Sequence, residues 1–125
     1  MKCMVRLSRL DCVTGETEVI AEAPCLYDGK RLLYKENNTG ARHMVALKEN
    51  GLSIERTADV QSVLELVKEG ASRCVIKSTY GVMELGARLL AYTNDGDSVE
   101  AEYIVLSGEE TTAHLKMTWE LKKAS

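Results

Sequence analysis

The chain has 125 residues, 19 of them acidic and 16 basic, for a net charge of −3, with 45% hydrophobic and 28% charged side chains. This composition suits a single globular domain, residues 1–125, and excludes a disordered or fibrous chain. Lys and Arg are scattered singly, which argues against a nucleic-acid partner, and no apolar run reaches the roughly 18 residues of a membrane-spanning helix.

Met1 to Val13 carries Lys2, Arg6, Arg9 and Asp11 and has no apolar core, so it does not read as a secretory leader and a cytoplasmic chain is expected. Turn signals then recur at short intervals: Thr14-Gly15, Asp28-Gly29, Asn37–Gly40, Asn50-Gly51, Tyr80-Gly81, Asn94–Gly96 and Ser107-Gly108. Between them polarity alternates with the period of a strand, and Asp-Gly and Asn-Gly are strong hairpin signals. Pro24, the single proline, removes only one ladder donor. The pattern predicts an antiparallel meander, either barrel or sandwich.

Loop length sets hairpin register, so cross-strand pairs follow from the turns. A loop at Val13–Gly15 sets Arg6 against Glu22, and Asp28-Gly29 sets Glu22 against Lys35. The Asn37–Gly40 loop puts Tyr34 beside His43, and Asn50-Gly51 puts Arg56 beside Val45. Tyr80-Gly81 pairs Lys77 with Glu84 and Ile76 with Leu85. Asn94–Gly96 pairs Arg88 with Glu102 and Leu89 with Ala101. A loop at Gly108–Glu110 pairs Glu102 with Lys116 and Tyr103 with Leu115. Two rows of alternating charge result, as neighbouring strands prefer.

Residues 57–70 read differently. Val60, Val63, Leu64 and Val67 fall at helical spacing, with Asp59 placed to cap the start and Gly70 just past the end. A short helix there would be a lid over a barrel mouth, while the β-branched content leaves a strand open.

The inward face predicted by alternation holds Val5, Leu7, Val19, Leu32, Val45, Leu47, Leu52, Ile54, Ile76, Leu85, Leu89, Val99, Val105, Leu115, Met117, Trp119 and Leu121. Ala21, Ala23, Ala87, Ala91, Ala101 and Ala113 are interspersed, and there is no phenylalanine. So many small inward residues favour room for a guest inside the barrel. Tyr34, Glu36, His43 and Arg56 gather toward one end of that interior, with Tyr103 inward elsewhere. A buried charge must be paired, so Glu36 and Arg56 would seek each other or a ligand.

The cysteines at 3, 12, 25 and 74 form no Cys-x-x-Cys pair, and His43 and His114 lie in no ligand-spaced cluster. Four reduced thiols acting as small hydrophobes are expected, with no metal site and no cofactor. His114 falls on the outer face with Thr112, Lys116 and Thr118 and reads as a solvated histidine. No catalytic or nucleotide-binding motif is present.

The run Arg31-Leu32-Leu33-Tyr34-Lys35-Glu36, Arg56 closing a strand, Thr79-Tyr80-Gly81 opening a hairpin, and Glu102-Tyr103-Ile104-Val105 together resemble the YwiB-like family. Its members are small uncharacterised bacterial proteins with a calycin (lipocalin-like) fold. The resemblance runs from Met4 to Lys122, and Tyr34, Glu36, Arg56, Gly81 and Tyr103 match the family's recurrent residues. Ala58 stands where a glycine is expected, Ile76 where an aromatic is, and Ser78 where a threonine is. The resemblance implies an all-β antiparallel meander closed into a lipocalin-like β-barrel of about eight to ten strands. It also implies a strand at residues 60–68, and it brings no established activity.

The leading expectation is a non-enzymatic barrel that holds a small apolar ligand, its polar end fixed by Tyr34, Glu36, His43, Arg56 and Tyr103. A rival is an assembly module with a filled barrel, using outward Leu90, Tyr92, Ile104 and Leu106 as a partner or homodimer surface. A third is a hydrolase-type enzyme, which needs Glu36 and His43 within hydrogen-bond reach in a closed pocket.

Overall fold

In the computed structural model, which describes residues 2–123, the chain is all-β. Its strands are β1 (Lys2–Asp11), β2 (Thr17–Tyr27), β3 (Arg31–Lys35), β4 (Arg42–Lys48), β5 (Gly51–Thr57), β6 (Gln61–Val67), β7 (Ser72–Ser78), β8 (Gly81–Asn94), β9 (Ser98–Ser107) and β10 (Glu110–Lys123). Each strand pairs antiparallel with its neighbours in sequence, and β1 pairs with β10 to close the barrel. No helix among the described residues is long and apolar enough to cross a membrane.

Residues 61–67 form a strand, hydrogen-bonded to β5 on one side and β7 on the other. The apolar residues at helical spacing divide between the two faces, with Leu64 buried and Val63 and Val67 only half-buried. Ladder partners on both edges outweigh the local helical pattern.

The turns sit where different chemistry puts them. Tyr34 pairs with His43 as expected. Arg6–Glu22 and Glu102–Lys116 also pair, but through turns displaced by one residue and restored by a bulge. Ile20 is the extra residue in β2 and Thr112 the extra residue in β10. Elsewhere the expected pairs fail by two residues. Leu26 meets Leu33, because the Asp28 carboxylate accepts from the Lys30 and Arg31 amides (2.9 and 2.7 Å) and widens the turn. Lys77 meets Val82, Arg88 meets Ile104 and Leu89 meets Tyr103, so the charge pairs Glu22–Lys35, Lys77–Glu84 and Arg88–Glu102 do not form. A slip of two keeps every side chain on its face, which is why the interior survives these errors.

The bulges are where faces do change. Val19, expected inside, is 43% exposed, and Ile20 packs against the core instead. The extra residue Leu90 in β8 turns Ala91 outward and brings Tyr92, expected outside, against the core. The Tyr92 hydroxyl donates to the Lys48 carbonyl at 3.1 Å.

The barrel is filled at one end. Trp119, Leu7, Leu32, Leu52, Leu66, Val5, Val45 and Val99 are its most deeply buried side chains. Leu7 and Val45 lie at mid-strand, and the others come from the first halves of β1, β3, β5 and β9 and the second halves of β6 and β10, which antiparallel order brings together. Gly51 belongs to this end. A Cβ there would stand 2.0 Å from the Leu66 carbonyl oxygen, so close backbone approach requires glycine, without any left-handed φ. The same end holds a correction to the thiol reading. Cys3 and Cys25 are directly opposed across β1 and β2, with Cα atoms 5.2 Å apart, and form a disulfide. Only Cys12 and Cys74 are free thiols.

Candidate functional site

The other end of the barrel is hollow, with a cavity of about 470 Å³. Its wall is apolar at Ile20, Ile54, Leu64, Val105 and Met117, polar at Arg9, Glu18, Glu36, His43, Arg56, Ser62 and Tyr103, and carries the Cys74 thiol. A volume of this size lies within the roughly 300–1,000 Å³ usual for small-molecule pockets.

Local folding places the polar groups. The Asn37–Gly40 loop is closed by the Glu36 amide donating to the Ala41 carbonyl (2.8 Å) and Gly40 donating to the Glu36 carbonyl (3.1 Å). Thr39 in that loop accepts from the Ala41 amide and donates its hydroxyl to Glu36 Oε1 at 3.0 Å. Asn37 reaches across to both backbone groups of Glu22 (2.7 and 2.9 Å). It stands in for a strand where Pro24, lacking an N–H, interrupts the β2–β3 ladder. Arg56 was expected beside Val45. The chain turns one residue earlier, at Glu49-Asn50, so Arg56 lies directly opposite His43.

A directed hydrogen-bond chain results. The Trp119 indole, a donor only, gives its N–H to the Tyr34 oxygen at 2.8 Å. The Tyr34 proton then points to His43 Nδ1, 3.1 Å away. That assigns the His43 proton to Nε2, which donates to Glu36 Oε2. Arg56 completes the set, with Nε 2.6 Å from Oε2 and Nη2 3.3 Å from Oε1. The two rings of Tyr34 and His43 stack with centroids 4.8 Å apart.

Burial would raise the Glu36 carboxyl, which is only 9% exposed. The donors from Arg56, His43 and Thr39 outweigh that and hold it down at about 2. Glu36 is therefore a carboxylate, and four donors occupy the roughly four acceptor positions a carboxylate has. Both His43 nitrogens are engaged as well. Tyr103 differs. It is 6% exposed, burial pushes its phenol up to about 12, and no hydrogen bond reaches its hydroxyl among the described residues. Since no fully enclosed side-chain polar atom among the described residues lacks a partner, that hydroxyl opens onto the cavity it lines.

Of the five residues singled out by sequence, Glu36, His43, Arg56 and Tyr103 line the cavity. Tyr34 stands behind His43, joining it to Trp119. Thr39, Trp119 and Arg9 were missed as site residues. A buried indole N–H needs an acceptor, and that requirement could have singled out Trp119. Arg9 and Glu18 form an ion pair at 2.9 Å beside the cavity, set by the Ile20 bulge, which no turn signal announces. Of the surface residues expected to meet a partner, Leu90 is exposed, Ile104 and Leu106 are half-buried, and Tyr92 turns inward.

The family model described as a domain of unknown function (DUF1934) matches residues 11–119. Among solved structures, the chain is similar to the ywiB protein from Bacillus subtilis, known from a crystal structure. The two share 16% identity over 99% of this chain and 91% of that one, with a TM-score of 0.62. At that identity the likeness concerns the fold, and it agrees with the YwiB-like resemblance of the sequence. The comparison with curated proteins finds no match.

Proposed function

The chain belongs to the DUF1934 family of domains of unknown function, and for this member we propose a calycin-like binding barrel for a small, largely apolar molecule whose polar head accepts hydrogen bonds. The observation that carries this is the saturation of Glu36. With its acceptor positions filled, Glu36 has nothing left to offer a guest; Arg9 and Glu18 are paired with each other, and Arg56, Tyr103 and Ser62 remain as the donors along the cavity wall. A carboxylate or carbonyl head satisfies them, and the wall of Ile20, Ile54, Leu64, Val105 and Met117 suits a hydrocarbon body. The Glu36–His43 pair serves as a scaffold for Arg56. Neither His43 nitrogen has a lone pair free for a substrate, so a hydrolase reading loses its base.

Calorimetric titration with decanoate and with decan-1-ol tests this. Decanoate binds at least about tenfold tighter, the worth of one charge-assisted hydrogen bond, and Tyr103→Phe and Arg56→Ala each erode that preference. Equal affinities, or no binding of either, contradict the proposal.

A second reading, a homodimer surface, is favoured by a different observation. Leu26 (54% exposed) and Leu33 (41% exposed) pair on the outer face. Leu33→Glu should then convert a dimer to a monomer in light scattering; a wild-type monomer contradicts it.

A further inference from the structure

On the outer wall of the barrel, away from the cavity, Cys12, Glu102 and His114 converge. Cys12 follows β1, Glu102 lies on β9 and His114 on β10, and closure of β1 onto β10 brings the first and last of these together. The Cys12 amide donates to the His114 carbonyl at 2.9 Å, which fixes the start of the β1–β2 turn against β10. His114 is not simply solvated, as its position suggested, since its Nε2 lies 2.7 Å from Glu102 Oε2. A thiol sulfur, an imidazole nitrogen and a carboxylate oxygen thus lie within 4.8 Å of one another, each on a half-buried residue.

We propose that Cys12, Glu102 and His114 form a binding site for a divalent transition-metal ion, zinc foremost. Zinc takes sulfur at about 2.3 Å and nitrogen or oxygen at about 2.0–2.2 Å, so tetrahedral ligand atoms stand roughly 3.3–3.7 Å apart. The three groups need side-chain adjustments of about an ångström to reach that spacing. Mixed sulfur, nitrogen and oxygen donors suit zinc or cobalt and do not suit magnesium or calcium, which prefer oxygen alone. The nearest other charges have partners elsewhere. Lys116 is directed to Glu100 (3.7 Å), and the Asp11 carboxylate is occupied by the Val13 and Thr14 amides (2.9 and 3.2 Å). Three protein ligands leave a fourth position for water, and partial exposure of all three gives the ion a way in. No fixed ligand spacing exists in the sequence because Cys12 and His114 meet only when the barrel closes.

Cobalt(II) titration of the freshly purified chain, followed by absorption, tests the site independently of the cavity. The expected result is one cobalt per chain, a thiolate-to-cobalt charge-transfer band with the strong visible bands of a tetrahedral ion, and displacement by zinc. Cys12→Ser abolishes the charge-transfer band, and His114→Gln and Glu102→Gln each weaken binding at least tenfold. The absence of saturable binding up to millimolar cobalt overturns the proposal. So does a charge-transfer band that survives Cys12→Ser, which would assign the metal to another thiol, or affinity unchanged in all three variants.

Discussion

The Trp119 indole N–H donates to the Tyr34 hydroxyl at 2.8 Å, joining residues 85 positions apart in the chain. Trp119 belongs to the filled end of the barrel, with no exposed surface, and Tyr34 backs the histidine that faces the hollow end. The bond therefore links the packed core to the wall of the cavity. It also sets the direction of every proton from Trp119 to Glu36.

Removing the middle of that chain should cost more than removing its start. Tyr34→Phe leaves a buried indole N–H and His43 Nδ1 unpaired, each penalised by about 1–3 kcal/mol. Trp119→Phe removes a donor and leaves Tyr34 still bonded to His43, at the added cost of a smaller ring. In a double-mutant cycle by urea denaturation, the two should be coupled by about 1 kcal/mol or more. Strict additivity would contradict the chain.

Glu36 makes stability depend on acid. Its folded value of about 2 lies below its ordinary value of 4.5, so its contribution is fully present above the ordinary value and is lost as pH falls toward 2. The difference corresponds to about 3 kcal/mol. Wild type compared with Glu36→Gln by urea unfolding between about pH 6 and pH 2 should show the gap narrowing toward the acid end. A gap independent of pH would contradict the ion-paired carboxylate.

Two glycines should respond to alanine in different ways. Gly51→Ala drives a Cβ against the Leu66 carbonyl and forces β5 and β6 apart, so a loss of about 3 kcal/mol or more is expected. At Gly29, with φ at +88° and open space around it, alanine meets only left-handed strain of about 1–2 kcal/mol. Urea midpoints of the two variants rank them. The reverse order would contradict the close approach at Gly51.

Cys3 and Cys25 should not react with a thiol reagent until the chain is reduced, whereas Cys12 and Cys74 titrate once unfolded. The bond closes a loop of 22 residues in sequence separation, and Cys3→Ser with Cys25→Ser should lose about 2–4 kcal/mol. Four titratable thiols in the unreduced, unfolded protein would contradict the bond.

The alternation of side chains made the barrel and most of its interior readable, because a period of two survives any register error of even size. For that reason Leu32, Val45 and Leu89 are inside although several of the turns beside them were misplaced. Bulges were not readable. Val19 adjoins the extra residue Ile20, and Ala91 and Tyr92 follow the extra residue Leu90; no local composition marks either, and each of the three faces the other way.

The site divides along the same line. Tyr34 and His43 are joined by one short loop, and their pairing was visible. Arg56 reached His43 because the turn at Glu49-Asn50 needs no left-handed residue, whereas glycine chemistry had suggested Asn50-Gly51. Contacts that depend on barrel closure, such as Trp119 with Tyr34 and Cys12 with His114, have no signature in local spacing. The disulfide is of this kind too, since only the β1–β2 register sets Cys3 opposite Cys25.

The most direct test of the binding barrel is methyl NMR of the wild-type chain titrated with decanoate. Saturable shifts at Met117, Ile54, Leu64 and Ile20 around the cavity, with Leu7 and Leu52 at the filled end unmoved, are the predicted result. Unchanged cavity methyls, or shifts confined to the outer-face Leu26 and Leu33, would contradict a ligand held inside the barrel.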